Sequence, residues 1–230
     1  MNQPSSGIAT AVAVTLPEWV PGVVDAFPAC TNDTGRMRLA ITLALMTIGS
    51  VGMYVVPVVL PAVQADFGVA RADASLPYTL LMIGFGLGGM VMGRLADRFG
   101  VSLPLAAGAV GLGLGFAAAA MANSIWMFAL AHGALVGFVG SSATYAPLIA
   151  DTSMWFVRRR GIAVAICASG NYLGGAIWPP VVQHFVETSG WRATYFGLAL
   201  FCALAMAGLA DIVVNLSWLG DQIRSALGDG

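Results

Sequence analysis

The stretch Trp155-Phe-Val-Arg-Arg-Arg-Gly-Ile-Ala-Val-Ala-Ile-Cys-Ala-Ser-Gly-Asn-Tyr-Leu-Gly-Gly175 decides what kind of chain this is. Three arginines, Arg158, Arg159 and Arg160, stop at Gly161, and no charged residue follows until Glu187. A basic block set against a long apolar run marks the cytoplasmic mouth of a membrane helix. The run is rich in small residues, among them Ala163, Ala165, Ala168, Ser169, Gly170, Gly174 and Gly175. Small side chains let helices approach closely in lipid, where burying apolar surface drives nothing. Asn171 and Tyr172 place polar groups near the middle of the run, where polarity is costly and usually functional.

Outward from that stretch the composition agrees. The chain is 58% hydrophobic and 9% charged, whereas a soluble domain carries about 25% charged residues. A net charge of −1 gives no electrostatic reason to expect nucleic acid as a partner. Six apolar runs, at roughly 39–62, 76–93, 101–121, 125–147, 161–182 and 193–214, each approach the ~20 residues that cross ~30 Å of hydrocarbon. Backbone groups in lipid must be satisfied within the segment, so the runs are helices. The expectation is an all-α membrane protein with a tail over 1–38, a bundle of six transmembrane helices over 39–214 and a second tail over 215–230. The bilayer is its first partner.

All ten basic residues are arginines. With the termini inside, Arg36, Arg38, Arg94, Arg98, Arg158, Arg159, Arg160 and Arg224 are cytoplasmic, and only Arg71 and Arg192 lie outside. That bias orients the chain with both termini cytoplasmic, in a cell (inner) membrane, and puts loops 63–75, 122–124 and 183–192 outside. A faint repeat links the first and fourth runs: Gly49-Ser50, Tyr54 and Pro57 against Gly140-Ser141, Tyr145 and Pro147. It suggests two three-helix units of inverted topology, each offering a serine, a tyrosine and a proline-weakened backbone to a shared space.

The loop Gly93-Arg94-Leu95-Ala96-Asp97-Arg98-Phe99-Gly100 reads either as a tight cytoplasmic turn or as a conformational element in which Asp97 and Arg98 make and break charged contacts. Its pattern, Gly-x-x-x-Asp-Arg-x-Gly between the second and third helices, resembles the loop of the major facilitator superfamily. Trp155, Phe156, Arg158, Arg159, Arg160, Ala163, Ala168 and Gly170 resemble the helix-five pattern of its monocarboxylate transporter and oxalate–formate antiporter branch. Gly190-Trp191-Arg192 before the sixth helix is also similar. The resemblance covers roughly residues 38 to 212. It implies one six-helix bundle of two inverted three-helix repeats and secondary active transport of a small organic anion such as a monocarboxylate, with or without a coupling ion, by alternating access. It also implies a further six helices, supplied by a C-terminal half or by self-association. The sequence departs from the pattern where Val101 and Ser102 follow Gly100 in place of further basic residues, and where Gly133 stands for an arginine.

The substrate cavity expected on this side is lined by Tyr54, His132, Tyr145, Asn171 and Tyr172. Gly93, Asp97, Arg98 and Gly100 form the gating loop, and Arg158, Arg159 and Arg160 the cytoplasmic basic motif. His132 has a second reading, as a histidine bonded to a neighbouring helix. Asp151 is expected to pair with the nearby arginines 158–160. Gly84/Gly88, Gly89/Gly93, Gly111/Gly115, Gly133/Gly137 and Gly170/Gly174 have the spacing of helix-packing glycines. The cysteines Cys30, Cys167 and Cys202 share no ligand spacing and read as small apolar residues. No nucleophile–base pair, metal cluster or phosphate loop is evident, and no cofactor is implied. A six-helix membrane protein that binds another membrane protein without transporting is the alternative to a carrier.

Overall fold

The computed structural model describes residues 33–156 and 160–228, and every described element is helical. Six helices are long and apolar enough to cross a membrane: α1 (Met37–Phe67), α2 (Ala72–Phe99), α3 (Ser102–Ala120), α4 (Ile125–Trp155), α5 (Arg160–Ser189) and α6 (Trp191–Ile212). Several outrun the apolar stretches that announce them. The 30 residues of α5 extend about 45 Å at the helical rise, so this helix projects beyond the hydrocarbon. The helix containing α6 continues to Gly228, through most of the expected tail. The tail over 1–32 and the arginines Arg158 and Arg159 lie outside the described residues.

Local chemistry sets the corners. Gly100 and Gly190, with φ of 78° and 84°, end α2 and α5 in a conformation that residues with a Cβ seldom adopt. Ser124 opens α4 by accepting a hydrogen bond from the Met127 N–H at 3.3 Å.

The packing interleaves the two halves of the bundle. α3 lies along α6, α2 along α4, and α5 along α1. Exchanging α1, α2, α3 with α4, α5, α6 maps these three pairs onto one another, as two related three-helix repeats require. α3 also packs extensively on α4, a contact whose counterpart between α6 and α1 is slighter. α2 and α5 have the fewest buried residues and flank the bundle. They leave α1 and α4 between them. At the back, Phe116 of α3, Phe128 of α4 and Tyr195 of α6 are fully buried. Their rings meet at 5.5–5.6 Å between centroids, within the range of favourable aromatic contact.

Glycines carry the close approaches between α2 and α4 and between α5 and α1. A Cβ on Gly88 would fall 2.7 Å from Ser142 Oγ, and one on Gly170 would fall 2.7 Å from the Leu43 carbonyl oxygen. The Gly84/Gly88 and Gly170/Gly174 pairs thus serve equivalent contacts in the two repeats. Gly89 and Gly93 do not. Both face open space, contrary to the packing role that their spacing suggests.

Candidate functional site

The repeated Gly-Ser pairs fall where helix geometry changes. In α1 the regular segments Asp33–Gly49 and Val51–Phe67 meet at Ser50, and the Met53 N–H donates to the Ser50 carbonyl three residues back. In α4 a wide, π-helical segment, Ala131–Ser141, gives way to an α-helical one, Ser142–Trp155. Such segments are rare and gather at functional sites. The two irregular points touch. A Cβ on Gly49 would lie 2.5 Å from Thr144 Cβ, and one on Gly52 would lie 2.6 Å from Ser141 Oγ. The backbones of α1 and α4 can cross this closely because both glycines lack side chains.

Hydroxyls take up carbonyls near these points, as membrane helices require. Ser50 Oγ donates to Thr47 O and Thr144 Oγ1 to Ser141 O, each at 2.8 Å. Trp178 Nε1 of α5 donates across to Thr47 O at 2.7 Å. Ser141 Oγ is the only buried side-chain polar atom among the described residues that lacks a hydrogen-bond partner.

Tyr54 and Tyr145 each sit four residues beyond the repeated serine, and both are half-buried. The phenol end of Tyr54 lies over Gly175 of α5, where a Cβ would meet its ring at 2.8 Å. Tyr145 stands edge-on to Phe85 of α2 at 5.8 Å. Asn171, one turn before Gly175, is also half-buried, whereas Tyr172 projects away from the bundle with 75% of its surface exposed. Sequence reading passed over Phe85, whose ring in a glycine-rich helix was the available signal.

His132 is not on this wall. It is 0% exposed and enclosed between α4 and α6. Its Nδ1 is 2.8 Å from Phe128 O and its Nε2 3.1 Å from the Tyr195 hydroxyl. A carbonyl only accepts, so Nδ1 carries the proton and Tyr195 donates to Nε2. As placed, the side chain offers no atom to a cavity, and the reading that tied it to a neighbouring helix describes it.

At the end of the bundle where α4 finishes, Asp151 takes a partner other than its sequence neighbour Arg160, Arg158 and Arg159 lying outside the described residues. It accepts two hydrogen bonds from Arg38 of α1, at 2.7 and 2.9 Å. Arg38 also lies over the Trp155 ring at 4.1 Å. The pair is almost shut off from solvent, with side-chain exposures of 4% and 14%. Sequence proximity favoured the arginines after Trp155, but the crossing of α1 and α4 brings in one 113 positions away. Arg160 is exposed at the start of α5.

The stretch expected as a loop is helical up to Phe99, so Asp97 and Arg98 sit in the last turn of α2, where both are exposed and the Arg98 guanidinium lies 5.3 Å from the centre of the Phe99 ring. Asp97, Gly100, Ser102, Pro147 and Asp151 line a cleft of about 240 Å³ against the C-terminal end of α4. Gly93 stands one turn before Asp97, with no neighbour where a side chain would be. At the other end of the bundle, Arg192 reaches Asp66 at 3.0 Å and the carbonyls of Ala120 and Ala122 at 3.1 and 2.9 Å. It thereby ties α1, α3 and α6 together and places a cation at the C-terminus of α3, where the helix dipole favours one.

Among known proteins, residues 41–221 match the family model described as Major Facilitator Superfamily. A fujikurins efflux protein of Gibberella fujikuroi is 32% identical over 142 residues, which are 62% of this chain and 30% of that protein. Monocarboxylate transporter 6 of Mus musculus is 27% identical over 155 residues, 66% of this chain and 33% of the transporter. A riboflavin transporter of Trypanosoma brucei brucei is 30% identical over 124 residues, 54% and 22% respectively. The chain thus matches about a third or less of the length of each of these three relatives.

Proposed function

Because the chain belongs to the Major Facilitator Superfamily, we propose that its six helices form one wall of a secondary active transporter for a small organic anion such as a monocarboxylate. The supporting observation is the crossing of α1 and α4 at Gly49 and Gly52, where two irregular helices meet and two half-buried tyrosines follow. In this reading Tyr54, Tyr145 and Asn171 meet the substrate side, Tyr172 diverges from Asn171 by about 100°, and the last turn of α2, holding Asp97 and Arg98, makes and breaks contacts as the wall rocks. The other wall is a second six-helix bundle, either a C-terminal half or a second copy of this chain. Alternating access in such carriers rocks one bundle against another around a site at the midplane.

No arginine falls in the middle of a spanning helix, so the cation that an organic anion needs comes from the second bundle. A relative named as a monocarboxylate transporter supports the substrate class. Other relatives are named for fujikurins and riboflavin, so uptake of riboflavin is assayed beside that of lactate. In a complete carrier containing this bundle, Tyr54→Phe and Asn171→Ala should raise the KM for lactate with the protein still folded and inserted. The 230-residue chain alone in liposomes should show no saturable uptake of lactate, formate or oxalate. Unchanged KM in both variants would remove these residues from the site. Saturable uptake by the chain alone would point to a homodimeric carrier.

A further inference from the structure

A cavity opens between the last two spanning helices, apart from the crossing of α1 and α4. It is a fissure of about 520 Å³ between α5 and α6, walled by Trp178, Phe185, Ala193, Gly197, Leu198 and Phe201. We propose that it holds one acyl chain of a membrane phospholipid.

The walls favour hydrocarbon and leave little for a polar ligand. The Trp178 indole N–H is already given to Thr47 O, the Thr194 hydroxyl is given to Gly190 O at 2.8 Å, and the exposed Ser189 stands at the end of the fissure, by the α5–α6 turn. A cavity of ~150 Å³ lined by apolar side chains stays dry and takes up benzene, and this one is more than three times that volume. The protein does not fill the space itself. A Cβ built on Gly197 meets no atom within 4 Å, so this glycine serves no close helix contact.

Position identifies the occupant. The fissure lies within two membrane-spanning helices and joins the apolar outer side of α6, where Phe196, Leu200 and Leu204 are exposed. These side chains lie within the span of α6, so the fissure continues an apolar surface at the depth of the hydrocarbon. It runs along α5 from Trp178 to the turn after Ser189. Eleven helical steps make about 16 Å, close to half of a ~30 Å hydrocarbon core. A chain whose headgroup sits at the α5–α6 turn would therefore reach the level of Trp178 within one leaflet.

The test uses the whole chain in nanodiscs of phosphatidylcholine carrying a photoactivatable diazirine midway along one acyl chain. After irradiation, mass spectrometry of the digest should place adducts preferentially on Phe185 and Phe201 rather than on Leu204. Gly197→Leu, which fills the fissure, should lower those adducts severalfold and leave adducts on the exposed Val110 and Leu114 of α3 unchanged. If that variant does not fold, the wild-type ratio of Phe201 to Leu204 labelling decides alone. Equal labelling along α6 would overturn the proposal. So would fissure adducts that persist in a folded Gly197→Leu protein, or protein–protein cross-links from a second copy inside the fissure.

Discussion

Tyr195 and Arg38 show how single residues bind this bundle. Tyr195 is fully buried and donates to His132 across the α4–α6 contact. Tyr195→Phe removes that donor and leaves the histidine Nε2 unsatisfied, at about 1 kcal/mol. Tyr195→Ala also opens a cavity, and such truncations cost about 3–5 kcal/mol. Thermal unfolding in detergent should rank wild type, Phe and Ala in that order, and a Phe variant as unstable as Ala would contradict it. The two ion pairs make a sharper contrast. Arg38→Gln strands Asp151 in a nearly closed site and should cost about 3–5 kcal/mol. Asp66→Asn breaks a pair with side chains 42% and 44% exposed, a change worth about 1 kcal/mol or less. Equal losses in chemical denaturation would show that burial does not separate them. His132 and Asp151 stood out in the sequence as a histidine in an apolar run and an acid at a helix end. Their partners did not, because Tyr195 lies 63 positions from His132 and Arg38 lies 113 from Asp151.

At the level of helices, the six spans were readable because lipid imposes length and apolarity on each of them. The glycine contacts were readable only in part. Gly84/Gly88 and Gly89/Gly93 have the same spacing, yet the first pair meets α4 and the second meets nothing. Spacing fixes which residues share a helix face and says nothing of where the neighbouring helix stands. Substitution should separate them. Gly49→Ala drives a methyl into Thr144 where α1 crosses α4 and should destabilise by about 1–3 kcal/mol. Gly89→Ala has room and gains helix propensity, so it should be neutral or stabilising by up to about 1 kcal/mol. If unfolding midpoints fall equally for both, the crossing is not where the structure places it. The π-helical segment of α4 gave no sign in the sequence. Its glycines fit a distorted helix and a closely packed one equally well.

For the whole molecule, orientation is the property most open to direct test. The arginine bias puts Asp97 inside, and Asp73 and Glu187 outside. Single cysteines at these three positions, in a background without native cysteines, should react with an impermeant maleimide in intact cells at Asp73 and Glu187 and not at Asp97. The reverse pattern would invert the bundle. The interleaved packing also bears on how the chain is made. The most extensive contacts, α2 with α4, α3 with α4, α3 with α6 and α1 with α5, all join one three-helix repeat to the other. Arg38 leaves the ribosome long before Asp151, and α2 long before α4. The first three helices therefore enter the membrane with their principal neighbours still unsynthesised. Until then lipid or the insertion machinery must cover the glycine face of α2, and Arg38 must be kept at the water's edge. Assembly is thus a late event, begun by the arrival of the fourth helix and completed by the fifth and sixth, and a chain stalled before residue 151 would be a substrate for membrane quality control rather than half of a stable bundle.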